Sequence, residues 1–137
     1  MQLEYYLLSF GKFHTHPANI FLHHICIPLI GWSTLAFAHT WIIGAGWRFS
    51  YLLALITILG YLKFKNIRLI AVIIGCLTTG FLTFKLVTSL REVALVVFLI
   101  AWFGQFSGHW IEGKKPAFQE ELVFIFIGPV WVFKRLL

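Results

Sequence analysis

The sequence predicts an all-α integral membrane protein with four transmembrane helices and a short C-terminal apolar segment. Hydrophobic residues make up 60% of the 137 positions and charged residues only 12%, and the mean hydropathy is +0.88. Soluble domains carry roughly 25% charged residues, so this chain cannot build an ordinary polar surface. Its apolar content also excludes a disordered protein. The length predicts one domain, residues 1–137.

Long apolar runs show where the membrane-spanning helices should lie. A helix needs about 20 residues to cross a hydrocarbon core of roughly 30 Å. The four predicted spans are Ile20–Ile43, Trp47–Leu62, Leu69–Val87 and Val93–Ile111. The second is short, and it requires a locally thinner bilayer or the inclusion of Gly44–Gly46. A fifth run, Leu122–Phe133, contains Gly128 and Pro129 and is too short to span, which favours a re-entrant or interfacial segment.

The distribution of basic residues predicts the orientation of the chain. The net charge of +6 would suggest a nucleic-acid partner in a soluble protein, but here the basic residues lie between apolar runs, so we expect none. With four spans, one side carries Lys12, Lys63, Lys65, Arg68, Lys114, Lys115, Lys134 and Arg135, and the other carries Arg48, Lys85 and Arg91. Because cytoplasmic loops are enriched in Lys and Arg, both termini should be cytoplasmic, at a bacterial inner membrane or a eukaryotic endoplasmic reticulum.

A first cluster of polar residues lies where the first span begins. Polar side chains within a membrane are costly and are functional candidates, and six histidines occur in this apolar chain. In a helix that begins near Pro17, the side chains of His16, Asn19 and His23 share one face. His24 points about 100° away from His23. His14 precedes the helix and must reach a site from an extended segment.

A second cluster lies where the fourth span ends. Gln105, His109 and Glu112 follow i, i+4, i+7 spacing and share a helix face. A Glu three residues from a His is a spacing by which helical bundles bring a carboxylate and an imidazole to one metal. Gly104 and Gly108 form a GxxxG motif, which allows another helix to approach closely.

Both clusters should lie at the same membrane depth, because an even number of spans separates them. Packing of the first helix against the last would bring His14, His23, His109 and Glu112 into one metal site that also serves as the catalytic centre. Imidazoles with one carboxylate suit non-haem iron(II), with zinc or manganese as alternatives. Asn19 could orient a ligand. His39 lies 16 residues after His23, roughly 24 Å along a helix, so we expect it near the other membrane face.

Simpler interpretations exist for several of these residues. His16 and His24 are consistent with interfacial hydrogen bonding, and Glu112 with a solvated carboxylate beside Lys114 and Lys115. The two lysines are typical of a positive-inside flank, although they could also attract an anionic head group.

At these residues the sequence resembles the Mpo1-like family over nearly the whole chain. The resemblance rests on four motifs: His14-x4-Asn19-x3-His23 with Pro28 after it, Trp102-x2-Gln105-Phe106-x-Gly108-His109, Glu112-x3-Pro116-Ala117, and Gly128-Pro129-x-Trp131. It implies an iron(II)-requiring membrane dioxygenase that takes a 2-hydroxy fatty acid and O2 and shortens the acid by one carbon in α-oxidation. It also implies that His14, His23 and His109 ligate iron and that Glu112 is the family's acidic residue.

The chain departs from the family pattern at two positions. Cys26 stands where many members have Gly, and the interval from His109 to Glu112 is one residue shorter than in eukaryotic relatives. Two other classes of function remain as alternatives. Histidines on two facing helices could bind haem in an electron-transfer module, or the chain could be a non-catalytic membrane scaffold.

Overall fold

A computed structural model describes residues 2–116 and 123–134. The described chain is mostly helical, as predicted. Its helices are α1 (Gln2–Gly11), α2 (Pro17–His39), α3 (Phe49–Leu62), α4 (Ile67–Phe84), α5 (Leu90–Glu112) and α6 (Phe124–Val132), with a short antiparallel hairpin of β1 (Ile42–Gly44) and β2 (Trp47–Arg48). Ala117, Leu122 and Arg135, which the sequence-based predictions use, lie outside the described residues.

Three of the described helices are long and apolar enough to cross a membrane: α2, α4 and α5. The prediction of an all-α, membrane-type architecture is therefore confirmed, whereas the count of four spans is not. Helix α3 is too short to be counted with them: its 14 residues extend about 21 Å, against a hydrocarbon core of roughly 30 Å.

The first predicted span was placed too far along the chain. Its helix ends at His39, and the residues up to Ile43 enter the hairpin instead. The turn explains this boundary, because Gly44, Ala45 and Gly46 all have positive φ angles, of 126°, 46° and 78°. That backbone conformation reverses the chain and is incompatible with a continuing helix.

Helix α1 was not predicted, and it packs against α6. Phe10 of α1 lies 5.9 Å from Phe124 and 5.5 Å from Trp131 between ring centroids. In α6, Ile127 and Val130 are fully buried, and Gly128 lies against Ile27 of α2. The C-terminal apolar segment is thus a helix with one face buried against α1 and α2, while Ile125 and Phe126 are about half exposed.

The described residues form two compact units, one within residues 1–29 and 100–137 and the other within residues 30–99. The single domain inferred from the sequence stays a prediction. In the second unit, Leu35, Ala36, Ala54, Phe84 and Ala94 form a hydrophobic core. His39 also belongs to this unit, where its Nδ1 lies 2.9 Å from Ser50 Oγ. All of the remaining candidate site residues lie in the first unit.

Candidate metal centre

Three histidines converge in the first unit. One ring nitrogen each of His14, His23 and His109 lies within 4.8 Å of the other two. Ring centroids are 4.2 Å apart for His14 and His23, 4.9 Å for His14 and His109, and 4.7 Å for His23 and His109. The three side chains are 4%, 0% and 4% exposed. Residues separated by up to 95 positions in the chain therefore form one buried imidazole cluster.

The turn that follows α1 positions His14. The backbone N–H of His14 donates to Gly11 O at 3.1 Å, and its Nδ1 lies 2.8 Å from Phe10 O, in the position of a donor. The imidazole stacks on the Phe10 ring at 4.2 Å with an interplanar angle of 16°. This hydrogen bond leaves Nε2 with a lone pair, and Nε2 is buried without a hydrogen-bond partner among the described residues.

The two other imidazoles face each other from α2 and α5. His23 Nδ1 lies 2.9 Å from Asn19 O, and the Nε2 atoms of His23 and His109 are 3.1 Å apart. His109 Nδ1 is buried, and no described residue hydrogen-bonds to it. Two nitrogens that each lie about 2.1 Å from one ion can have this separation. The cluster therefore has the spacing of a metal site.

Burial also keeps His14 in the protonation state that a metal requires. Desolvation lowers the pKa of His14 from 6.5 to about 4, because an imidazolium is poorly solvated in a protein interior. The ring is therefore neutral at physiological pH, and a metal ligand must be neutral imidazole.

His24 provides an internal comparison for these features. Its Nδ1 also lies 2.8 Å from a backbone carbonyl four residues earlier, that of Ile20, but its side chain is exposed. The carbonyl contact alone is thus an ordinary property of a helical histidine. Convergence and burial distinguish the three clustered histidines, and His14 and His109 each also have a ring nitrogen without a partner among the described residues.

Glu112 does not belong to the three-histidine group. Its Oε1 accepts hydrogen bonds from Thr15 N at 2.8 Å and Thr15 Oγ1 at 2.7 Å. Its Oε2 accepts from Asn19 Nδ2 at 2.6 Å and His16 N at 3.3 Å. The carboxylate thus occupies the N-terminal end of α2, where backbone N–H groups lack helical acceptors and the helix dipole favours negative charge. The spacing predicted that His109 and Glu112 share one helix face. The Glu112 side chain, however, extends to the start of α2 and not to the histidines.

The other predicted residues differ in their surroundings. Asn19 is fully buried and links His23, through its carbonyl, to Glu112 through its amide. His16 is exposed, and its Nδ1 accepts from Ala18 N at 3.2 Å. Gln105 is 8% exposed.

The two lysines predicted to meet a substrate head group differ in their surroundings. Lys114 pairs with Glu112 Oε1 at 3.2 Å and donates to Lys12 O at 2.8 Å. Lys115 is exposed. Lys114 therefore helps to hold the segment before α2 against the end of α5.

The GxxxG motif allows α2 and α5 to approach at the cluster, as predicted. A Cβ added at Gly104 would lie 2.7 Å from Cys26 Sγ. At Gly108 an added Cβ would overlap Asn19 Oδ1 and would lie 3.4 Å from Asn19 Cα. Any larger residue at position 108 would therefore displace Asn19 or separate the helices that carry His23 and His109.

Sequence reasoning did not assign a role to the aromatic residues beside the cluster. Phe10 stacks on His14, and Trp131 lies 5.2 Å from both His14 and His24 between ring centroids. The signal that could have identified Trp131 was its place in the Gly128-Pro129-x-Trp131 motif. These rings pack against one side of the imidazole cluster.

Comparison with known proteins identifies the family of the chain. A sequence model of the family described as "2-hydroxy-palmitic acid dioxygenase Mpo1-like" matches residues 2–137. No curated protein and no solved structure matches the chain significantly. The chain belongs to the Mpo1-like family.

Proposed function

We propose that this member of the Mpo1-like family is an iron(II)-dependent dioxygenase that shortens 2-hydroxy fatty acids by one carbon. The proposed iron ligands are His14, His23 and His109. The observation that carries the proposal is the convergence of three buried imidazoles with their ligating nitrogens within 4.8 Å. The family description supplies the substrate class.

The donor set suits the proposed metal and leaves room for a substrate. Neutral imidazole binds iron, zinc and copper well, and three protein ligands leave further coordination positions open. Iron(II) bound there would supply the activation of dioxygen needed to cleave the bond between C1 and C2 of a 2-hydroxy acid. If C1 leaves as carbon dioxide, the substrate provides all four electrons that reduce O2, so no 2-oxoglutarate is consumed.

We assign to Glu112 a positioning role in place of direct ligation. Its two oxygens already accept hydrogen bonds from the segment that carries His14 and from Asn19. By holding that segment against α5, the carboxylate keeps His14 close to His23 and His109. Asn19 orients the His23 ring through its carbonyl, as the outer partners of metal-bound histidines commonly do.

The geometry favours this proposal over the two alternatives. The Nε2 atoms of His23 and His109 are 3.1 Å apart and His14 packs against both rings, which leaves no gap for a porphyrin between them. A scaffold without a ligand would bury His14 Nε2 without a partner among the described residues, at a cost of about 1–3 kcal/mol. Zinc and manganese fit the same donors, so metal analysis decides the element.

We further propose that four helices, α2 to α5, cross the membrane, with both termini and the imidazole cluster on the cytoplasmic side. The 14 residues of α3 would require a thin bilayer or help from the adjoining hairpin. Fusions of a reporter to either terminus and within residues 63–66 test this topology. Reporter activity on opposite sides for the two termini would contradict it.

Metal analysis after anaerobic purification tests the centre directly. We expect one iron per wild-type chain after reconstitution and a loss of most iron in His23→Ala and His109→Ala. The matched control is His24→Ala, which removes an adjacent, exposed histidine with the same carbonyl contact and should retain the metal. An intense Soret band, or full metal content in both cluster variants, would overturn the assignment.

A turnover assay tests the reaction itself. Reconstituted protein should consume O2 with 2-hydroxypalmitic acid and release the C1 label of a [1-13C] substrate as 13CO2. The product is the acid that is one carbon shorter. Protein that holds iron in the three-histidine cluster but neither consumes O2 nor shortens the acid would contradict the enzymatic proposal.

A further inference from the structure

We propose that the groove between α1 and α6 binds the 2-hydroxy acid substrate, with Lys12 and Lys134 receiving its carboxylate. We name this surface the α1–α6 groove, and its main lining residues are Tyr5, Leu8, Lys12, Thr15, Trp131 and Lys134. The inference rests on the proposed function for the identity of the substrate. The groove itself is a separate feature from the imidazole cluster.

The groove has the size and openness expected for one end of a lipid. Its volume is about 620 Å³, within the range of about 300–1,000 Å³ usual for sites that bind small organic molecules. It opens to the protein surface, so a long chain could extend beyond it. An acyl chain therefore fits without a closed tunnel.

Helix α1 gives the groove an apolar end and a cationic end. Tyr5 and Leu8 follow i, i+3 spacing and share one face of α1, and Lys12 lies in the turn directly after the helix. Tyr5 is 63% exposed and Leu8 is 72% exposed, whereas Phe10 on the opposite face is buried. An apolar side chain is thus available for the acyl chain beside an ammonium group for the acid.

The cationic end of the groove includes a second lysine from beyond α6. Lys134 Nζ lies 4.7 Å from the centroid of the Trp131 ring, in a cation–π contact. This contact holds the ammonium group beside the groove wall. A carboxylate placed between Lys12 and Lys134 would receive charge-assisted hydrogen bonds, which are stronger than those between neutral groups.

The cationic end is also the end nearest the imidazole cluster. Trp131 lines the groove and lies 5.2 Å from His14 between ring centroids. Thr15, which also lines the groove, directly follows His14 in the chain. A substrate with its acid at Lys12 and Lys134 would therefore have its acid end beside Trp131, which separates the groove from His14, and its chain towards Tyr5 and Leu8.

This arrangement predicts two dependencies of binding. Loss of both lysines, or methyl esterification of the acid, should weaken binding about five- to tenfold, as expected for loss of charge-assisted hydrogen bonds. Each methylene removed from the buried part of the chain should weaken binding about fourfold.

Photoaffinity labelling tests the groove without requiring catalysis. The probe is a palmitic acid analogue with a diazirine in its chain, added to metal-free full-length protein in phosphatidylcholine nanodiscs. We expect label in peptides that contain residues 5–15 and 131–134. The double variant Lys12→Gln/Lys134→Gln and the groove-filling variant Leu8→Trp should lose most of it, while the matched exposed controls Lys63→Gln and Leu82→Trp should retain it.

The outcomes separate this inference from the proposed function. Label that lies elsewhere, or that is unchanged in both groove variants, overturns the groove assignment even if the reconstituted protein turns over substrate. Label in the groove that is lost in both variants supports the assignment even if the protein shows no dioxygenase activity, because the labelled protein contains no metal.

Discussion

Substitution of Gly108 by alanine tests the close approach of α2 and α5. The added Cβ would overlap Asn19 Oδ1 and lie 3.4 Å from Asn19 Cα. The Asn19 side chain cannot turn away freely, because its amide donates to Glu112 Oε2 at 2.6 Å and to Phe13 O at 3.3 Å. Either these hydrogen bonds break or the helices separate, and both displace the ligands on which the proposed metal site depends.

The magnitude follows from two opposing effects. Alanine is favoured over glycine within a helix by about 1 kcal/mol, whereas overpacking costs about 1–3 kcal/mol and a lost buried hydrogen bond costs about 1–3 kcal/mol more. We therefore expect Gly108→Ala to lower the free energy of unfolding by about 1–5 kcal/mol. Displacement of Asn19, the outer partner of His23, should also weaken metal affinity about 10–100-fold.

The assay combines thermal unfolding in detergent with iron content after reconstitution. The matched control is Gly60→Ala, which adds the same methyl group to a helical glycine with nothing within 4 Å of the new Cβ. This control should leave stability unchanged or raise it by up to about 1 kcal/mol. If Gly108→Ala were as stable as Gly60→Ala and bound iron fully, the contact between α2 and α5 would not govern the site.

Three further predictions address the surroundings of the cluster and the second unit. Glu112→Gln should keep about one iron per chain at saturating iron but unfold at lower temperature, because the amide is a weaker and partly mismatched acceptor for Thr15; loss of the metal would instead identify Glu112 as a ligand. In metal-free protein, burial lowers the pKa of His14 from 6.5 to about 4, so the unfolded chain binds a proton at higher pH than the folded chain does. The free energy of unfolding should therefore fall by roughly 3 kcal/mol as the pH drops from about 6.5 to 4. Parallel pH profiles for the wild type and His14→Gln would contradict this. Trp32→Phe removes the 2.8 Å hydrogen bond to Thr83 Oγ1 and should lower the free energy of unfolding by about 1 kcal/mol without changing the metal content. A loss of iron in that variant would show that the site depends on the second unit.

Local patterns in the sequence were sufficient for several features of the fold and the candidate site. Low charge content and long apolar runs predicted helices of membrane type, because backbone groups in hydrocarbon must be satisfied within the element. The spacing of Gly104 and Gly108 predicted a close helix contact, which the structure confirms. Helix α1 was not predicted, because it packs against α6, which lies more than 100 residues away in the chain. Local sequence patterns do not report such a contact.

The amino-acid sequence by itself determined the class of the protein, its family and the histidines worth attention, since these depend on composition, periodicity and motifs along the chain. Only the tertiary structure decided how the side chains meet. Helical spacing places His109 and Glu112 on one face, but it does not say how far each side chain extends or which groups compete for it. The backbone N–H groups at the start of α2 donate hydrogen bonds to the Glu112 carboxylate. The three imidazoles therefore form the cluster without it. The α1–α6 groove likewise exists only because two helices from opposite ends of the chain pack together.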